Sequence, residues 1–349
     1  MTLARAIETG DVAQLPSRRE EDWRWTDLRG LIRSIPAASP PADAAKLQRG
    51  PFRNLADEEI VFLNGRQLEG PSALTIEPGH QGPLALRFVS AAHATAHHSA
   101  WSLILKPGAE LVLLESYESA GEAYVADVAL DIHLGVGAKL ERVVIVGEAT
   151  DAVSISQARV ELAPHAAFAQ TVLTSGAKRQ RHETRVRHPG GGASARLDGV
   201  YLLDGAVHAD LTTAVTHAGV DGKTLQLTKG AVRGQARAVF QGRIVVAEGA
   251  DRTDARMGHH ALVLSDKAEV DAKPELEIYA DDVACAHGNT VGALDEQALF
   301  YAQQRGIPEA EARAMLTEAF VAEVVDRIEH AGARDVAHAW VAERLRRQA

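Results

Sequence analysis

Apolar and polar side chains alternate with a period of two through the middle of the chain. In residues 127–134, aliphatic side chains take every even position, and Asp, Ala or His takes every odd one. A strand with one buried face shows this pattern. Short apolar or mixed runs such as 143–146 and 243–246 end at turns that contain glycine. Residues 56–292 therefore predict many short strands without crossover helices, as in a sandwich, a barrel or a solenoid.

A turn motif recurs at a nearly constant interval within this region. A turn of mostly small residues, which begins with Gly or in one copy with His165, is followed three positions after its start by an apolar residue at 108–111, 137–140, 165–168, 192–195 and 222–225, and the starting positions differ by 29, 28, 27 and 30. Such spacing is typical of stacked coils, so we favour a parallel β-helix. A β-sandwich with evenly spaced hairpins is the alternative, because 29 glycines in 349 residues produce some matches by chance.

Both ends of the chain predict helices. In residues 1–55, Ser17 and Glu20 have the spacing of a capping box and predict a helix from Glu20 to Leu31, while the Pro/Ala-rich residues 34–51 predict a linker. Residues 293–349 predict a C-terminal helical domain of three helices. The first is Asp295–Gln304, ended by Gly306, and the last is Asp335–Arg347. The middle helix follows Pro308 and carries an apolar stripe of Ala312, Met315, Leu316, Ala319, Phe320, Val324 and Ile328.

Composition and charge narrow the class of protein. Hydrophobic residues make up 46% and charged residues 24%, as in ordinary globular proteins. The net charge of −10 argues against nucleic acid or an anionic membrane as the main partner. No apolar run approaches the roughly 20 residues of a membrane helix, and residues 1–16 lack the apolar core of a signal peptide. With one cysteine, Cys285, the expected location is the reducing cytoplasm.

Two glycine-containing segments resemble nucleotide-binding loops but lack glycines that such loops require. Gly222-Lys223-Thr224 has His217 where a phosphate-binding loop has glycine, and 135–137 lacks the third glycine of a dinucleotide loop. Neither segment precedes a predicted helix. We therefore expect no ATPase or dehydrogenase chemistry in this chain.

Histidine and arginine clusters have ordinary interpretations. Arg179, Arg181, Arg185 and Arg187 share one face of a strand, which we expect to be solvated. His259 and His260 point to opposite faces and cannot easily share a metal. His208 and His217 could suggest a cupin-type metal centre, but a single surface or core histidine is the ordinary interpretation of each.

Cys285 and His287 form a more specific pair. In an extended strand they project from one face, with Ala286 opposite. Thiolate and imidazole suit a borderline or soft ion such as iron or zinc, but two ligands do not complete a site that needs four. The remaining ligands would come from another chain, from water or from sulfide, which places the site at an interface. A buried free cysteine beside a hydrogen-bonded histidine is the alternative.

Several longer segments resemble a known family. They are Glu21-Asp-Trp-Arg-Trp-Thr26, Gln241-Gly-Arg-Ile-Val245, 261–266, 276–292, 299–307 and the following Ala-rich helix that ends in Ala319-Phe320. Together they resemble the SufB/SufD scaffold family of iron–sulfur cluster assembly over nearly the whole chain, most densely over about 230–320. A single cysteine and Gly288 directly after His287 are closer to the SufD branch than to the SufB branch.

The resemblance implies a right-handed parallel β-helix between helical regions, and a scaffold subunit rather than an enzyme. It implies pairing with SufB through the β-helix edge and docking of a SufC ATPase on the C-terminal helices. ATP would then bind the ATPase and not this chain. Cys285 and His287 match the motif at the SufB interface, where iron or a nascent cluster is held transiently, so the isolated chain is expected to hold no cofactor stably. Met315, Leu316, Ala319 and Phe320 are the candidate ATPase contact, although packing against neighbouring helices explains that stripe equally well.

Other functions and assemblies stay open on the sequence. A β-helical carbohydrate-active enzyme would need a groove of carboxylates, and an aromatic content of 5% argues against sugar stacking. A cupin-like metalloenzyme would bind stoichiometric metal as an isolated chain. A homodimer through the same β-helix edge is plausible when the partner is absent.

Overall fold

Each coil of the middle region contributes one strand to each of two sheets. The computed structural model describes residues 2–348, a parallel β-solenoid of about eight turns with helices mostly at the C-terminal end. The mainly β, parallel solenoid predicted from the sequence is confirmed, and the β-sandwich is wrong. In chain order the strands are β1 (Ala37–Ala38), β2 (Glu58–Leu63), β3 (Arg66–Gln67), β4 (Ala73–Ile76), β5 (Leu84–Ser90), β6 (Thr95–Leu105), β7 (Glu110–Ser119), β8 (Val125–Leu134), β9 (Lys139–Gly147), β10 (Val153–Leu162), β11 (Ala167–Thr174), β12 (Arg179–His188), β13 (Ser194–Leu203), β14 (His208–His217), β15 (Lys223–Val232), β16 (Arg237–Val246), β17 (Thr253–Val263), β18 (Glu269–Ile278) and β19 (Val283–Gly292).

From β5 onward, strands two apart in the chain pair in parallel. The even-numbered strands from β6 to β18, with β1 and β4, form a nine-stranded sheet, and β2, β3 and the odd-numbered strands from β5 to β19 form a ten-stranded sheet, both counted over residues 2–348. Side chains in register form columns, as in Leu130, Ala158 and Thr184, which face the solenoid interior. Stacked columns of this kind bury the interior without any helix between the strands.

The recurring turn motif marks the start of successive strands of the ten-stranded sheet. The first four copies are in register, since Leu111, Leu140, Phe168 and Ala195 are successive partners in the sheet. The fifth copy, 222–225, is displaced by one residue, because Thr224 and not Leu225 continues the column. Thr224 is accordingly buried, and Leu225 is 46% exposed.

A left-handed residue explains both the motif and its displaced copy. The turn before each strand has positive φ at Gly108, Gly137, His165 and Gly192, and at Asp221 in the fifth copy. Glycine adopts this conformation without steric cost, and polar residues such as Asp are among the side chains that tolerate it better. Because Asp221 takes the glycine position, the motif written around Gly222 begins one residue late.

The C-terminal helices pack on the outer face of the ten-stranded sheet. They are α2 (Glu296–Gln304), α3 (Glu309–Val325) and α4 (Ala331–Gln348); the N-terminal region has α1 (Leu3–Thr9). The first predicted C-terminal helix is confirmed: the Asp295 side chain caps it, and Gly306 follows with φ 84°. Among residues 2–348, no helix is both long and apolar enough to cross a membrane. The division of the chain into domains at residues 55 and 292 stays a prediction.

The helix predicted for Glu20–Leu31 is wrong. The spacing of Ser17 and Glu20 does produce a capping contact, in which the Ser17 N–H donates to Glu20 Oε1 at 3.1 Å, but only one 3₁₀ turn, Glu21–Trp23, follows. Trp23 and Leu28 instead pack on the outer face of the nine-stranded sheet. Tertiary packing has therefore overridden a local helix signal.

The N-terminal segment also covers part of the arginine face. The four arginines lie on one face of β12 as predicted, yet the expectation that all are solvated is wrong for Arg181, which is fully buried. Its guanidinium pairs with Asp210 at 3.0 Å and with Glu183 at 2.9 Å, and it lies 4.5 Å from the centroid of the Trp23 ring.

Candidate functional site at the open end of the solenoid

The last coil leaves one end of the solenoid uncovered. Within residues 2–348, β19 pairs only with β17, and β18 pairs only with β16, so both sheets end in a strand with a free edge. Inward-facing side chains of this coil have no further coil above them. Of these, Ile278 and Val291 are exposed, and Tyr279, directly after β18, is exposed beside them. A free edge with exposed apolar side chains offers a partner both hydrogen-bonding groups and apolar area.

Cys285 and His287 lie on the inward-facing side of this last strand. They continue the columns of Ala255 and Met257, which are buried one coil below. Cys285 is half-buried and contacts the interior core, and His287 is exposed. The two Cα atoms are about 7 Å apart along an extended strand. The prediction that both side chains share one face is confirmed, and that face is the open end.

The surroundings of Cys285 favour the neutral thiol. Burial raises the pKa of Cys285, a backbone hydrogen bond at Ala255 lowers it, and the nearby Asp254 carboxylate raises it. A metal ion that binds the sulfur therefore has to displace a proton. At neutral pH the side chain of Cys285 is therefore a thiol.

These two side chains do not form a complete metal cage. Among residues 2–348, no group of three or more Cys, His, Asp or Glu side chains is arranged to hold an ion. Within the same residues, the His287 side chain makes no hydrogen bond, so its ring nitrogens are available. The chemistry of a sulfur and an imidazole fits iron or zinc, with further ligands from outside the chain.

The other histidines singled out in the sequence do not join this site. His259 faces inward and His260 outward, as predicted. His208 lies 3.1 Å from the Trp25 carbonyl oxygen, and His217 stacks on His188 with a centroid distance of 4.5 Å. His208 and His217 begin and end β14, which separates them by the length of the strand. The two do not form a cupin-type pair.

The predicted stripe on α3 divides between two faces. Val324 and Ile328 are buried in the core that they share with the sheet and α4, and Ala312 is also buried. Of the predicted ATPase-contact residues, Met315 and Ala319 are exposed, while Leu316 and Phe320 are half-buried and pack against the same core. The Lys229 ammonium lies 4.6 Å from the Phe320 ring centroid and pairs with Glu323, which ties α3 to β15.

A family model covers most of the solenoid and part of the C-terminal helices. The model described as "SUF system FeS cluster assembly, SufBD core domain" matches residues 88–320, which include Cys285, His287 and most of α3. The chain belongs to the SufBD family. It therefore has a role in iron–sulfur cluster assembly by the SUF system, in which SufBD proteins are assembly components.

Individual SufBD proteins align with almost the entire chain. The iron–sulfur cluster assembly protein SufD of Escherichia coli K12 is 29% identical over 98% of this chain and 91% of its own length. SufBD family proteins of Synechocystis and of Mycobacterium tuberculosis H37Rv are 24% and 26% identical, over 90% and 91% of this chain and 84% and 86% of their own lengths. The resemblance to the SufD branch of the SufBD family is confirmed.

Sequence reasoning missed one residue of the SufBD open end. Asn289 follows His287 by two positions and shares its face of β19. Its side-chain oxygen lies 2.7 Å from Nδ1 of the buried His259. The period-two alternation that places Cys285 and His287 on one face of β19 places Asn289 there too. Because an amide is not a metal ligand of the expected kind, nothing in the sequence pointed to Asn289.

Proposed function

We propose that the chain is a non-catalytic scaffold subunit of a cytoplasmic SUF complex. It pairs with SufB through the free edges of β18 and β19 and docks a SufC ATPase on the outer face of α3. Cys285 and His287 hold iron or a nascent cluster together with ligands from SufB, and the isolated chain holds neither stably. ATP binds the ATPase. The observation that carries this proposal is the placement of an incomplete ligand pair at the uncovered end of the solenoid.

A β-solenoid partner suits this end better than a small ligand. The free backbone groups of β18 and β19 form two edges at the same end, which a second solenoid extends by strand pairing. Such pairing would cover Val291 and Tyr279 and bring the partner's side chains over Cys285 and His287. The partner would then both exclude water and complete the coordination of the ion.

A second set of exposed apolar residues supports the proposal that an ATPase docks on the C-terminal helices. Phe300 and Tyr301 on α2 and Met315 on α3 are each at least half exposed, although the helices that carry them are packed together and α3 is packed on the sheet. Exposed aromatic and methionine side chains on adjoining helices are typical of an interface with another protein.

Val291→Lys is expected to abolish co-purification of SufB with the tagged chain from its own cells while SufC still co-purifies. Val291 is 48% exposed at the open end, so a charge there stays solvated in the lone chain and leaves it folded. In the paired state the same charge would be buried without a partner, which is unfavourable. Val136→Lys is the matched control, since Val136 is 49% exposed in a turn elsewhere on the solenoid. Retention of SufB by Val291→Lys would place the pairing surface elsewhere. A second copy of this chain in place of SufB would support a homodimer instead.

Met315→Asp is expected to give the reciprocal result, with loss of SufC and retention of SufB. Met315 is 50% exposed, so the substitution removes apolar contact area from an interface without burying a charge in the isolated chain. Leu68→Asp, at an exposed leucine on the early coils, is the control. Thermal unfolding of the purified variant identifies a misfolded protein. Normal SufC recovery with Met315→Asp would contradict docking on this face.

A further inference from the structure

A chain of hydrogen bonds runs through the solenoid interior and ends at the open end. The Tyr201 hydroxyl lies 2.9 Å from Nε2 of His259, and Nδ1 of His259 lies 2.7 Å from Oδ1 of Asn289. These three residues belong to β13, β17 and β19. Gly230 of β15 is the register partner of Tyr201 in the coil that separates Tyr201 from His259, and a Cβ there would overlap the Tyr201 ring. The missing side chain lets the tyrosine span the intervening coil.

The side-chain oxygen of Asn289 is the last acceptor in this series, and it determines the direction of both hydrogen bonds. An amide oxygen cannot donate, so Nδ1 of His259 carries the proton and donates to Asn289. Burial lowers the pKa of His259 to about 4, so at neutral pH the ring is neutral and Nε2 accepts. Burial also raises the pKa of Tyr201, which keeps its hydroxyl protonated and able to donate.

This direction orients the Asn289 amide. Its oxygen points into the interior toward His259, and its NH₂ group points away from His259 at an exposed position. Within residues 2–348 the NH₂ group has no acceptor of its own. Asn289 is also two residues from His287 on the same face of β19, about 7 Å along the strand. The open end therefore presents a pre-oriented N–H donor beside an imidazole ligand.

We propose that Asn289 donates a hydrogen bond to an anionic sulfur of the cargo bound at His287, and that Tyr201 and His259 position Asn289 for this contact. The inference deepens the proposed function and rests on it. Hydrogen bonds to sulfide or thiolate sulfur stabilise the negative charge of an iron–sulfur centre. An amide oriented in advance provides this stabilisation without reorganising when the cargo arrives.

The orientation is testable in the isolated chain, without any cluster. In ¹⁵N spectra of histidine-labelled protein at neutral pH, we expect His259 to show a protonated Nδ1 and an unprotonated Nε2. Tyr201→Phe removes the hydroxyl donor and keeps the ring, so the Nε2 signal should shift toward that of a free lone pair. A His259 protonated at Nε2 in the unsubstituted chain would overturn the assigned direction.

The donor role is testable in the SufB-containing complex after anaerobic reconstitution. The measured quantity is the apparent affinity for the cluster, obtained from iron and sulfide retained against a chelator. Asn289→Asp keeps an acceptor for His259 but replaces the outer N–H donor by a negative oxygen, and we expect affinity to fall at least about tenfold. Thr290→Val, on the opposite face of β19, is the matched control. Affinity that is unchanged or increased by Asn289→Asp would overturn the proposal, because the side chain would then face no anion or would face the metal.

A double-mutant cycle separates positioning from a structural effect. Tyr201→Phe alone is expected to weaken retention about fivefold, the worth of one neutral hydrogen bond. In the Asn289→Ala background the same substitution should have no further effect, because its influence passes through the amide. Additive losses would show that Tyr201 acts on the fold and would overturn its positioning role.

The failure of the inference is distinguishable from failure of the proposed function. If the unsubstituted complex retains no cluster, or if His287→Ala leaves retention unchanged, the proposed site itself is wrong. If His287→Ala abolishes retention and Asn289→Asp leaves it intact, the site stands and the donor role of Asn289 is wrong.

Discussion

Arg142→Met is expected to lower the free energy of unfolding by about 3–5 kcal/mol, the usual result of leaving a buried charge without its partner. Arg142 and Glu115 are both fully buried inside the solenoid, joined by two hydrogen bonds of 2.7 Å. Gln170 accepts a further hydrogen bond from the guanidinium. Methionine fills part of the volume but leaves the Glu115 carboxylate without its cationic partner. Chemical denaturation of the purified chain measures the change.

A matched exposed pair serves as the control for Arg142. Lys139 and Glu110 approach within 2.7 Å, but both side chains are more than 60% exposed. Lys139→Met should therefore change stability by less than about 1 kcal/mol. Arg142→Met combined with Glu115→Leu should recover much of the lost stability, because no buried charge is then left without a partner. A loss of less than about 1 kcal/mol for Arg142→Met alone would contradict an essential interior ion pair.

His287→Ala is expected to weaken retention of iron and sulfide by the SufB-containing complex by more than about 100-fold. Even outer partners of metal ligands cost about 10–100-fold when removed, and the proposal makes His287 a ligand itself. Because the His287 side chain is exposed and makes no hydrogen bond within residues 2–348, its loss should leave the fold intact. Iron and acid-labile sulfide are measured on the purified complex after anaerobic reconstitution.

His260→Ala is the control for this prediction. His260 lies on the opposite face of the neighbouring strand, where its Nδ1 is 2.7 Å from Thr290 Oγ1. Retention by that variant should equal that of the unsubstituted complex. Equal retention by the His287 variant would reject a ligand role. Equal losses in both variants would indicate a general disturbance of this end of the solenoid.

The fold was predictable because its signals are local and repeated. Period-two alternation and a turn every 27–30 residues indicate strands and coils without knowledge of any distant contact. The displaced fifth motif shows the limit of the method. The backbone requires a left-handed residue, and Asp221 supplies it where a search for glycine finds Gly222. The N-terminal helix failed for a different reason, since contacts of Trp23 with a sheet far along the chain outweighed its local capping signal.

The candidate site was predictable only as a pair of residues on one face. The alternation of β19 placed Cys285 and His287 together, and their failure to form a complete cage followed from the single cysteine. No sequence pattern could join Tyr201 to His259, because that contact crosses an intervening coil over Gly230. Similarly, helical spacing united Met315 with Val324 in one stripe, whereas the sheet buries Val324 and leaves Met315 exposed.

Iron and sulfide analysis of the chain with and without SufB tests the central claim most directly. We predict that the lone chain, reconstituted anaerobically, retains no stoichiometric iron after gel filtration, and that the complex with SufB retains it in a manner that depends on both Cys285 and His287. Stoichiometric iron on the lone chain, lost when either residue is replaced, would show that one polypeptide completes the site and would contradict the shared coordination proposed for the open end.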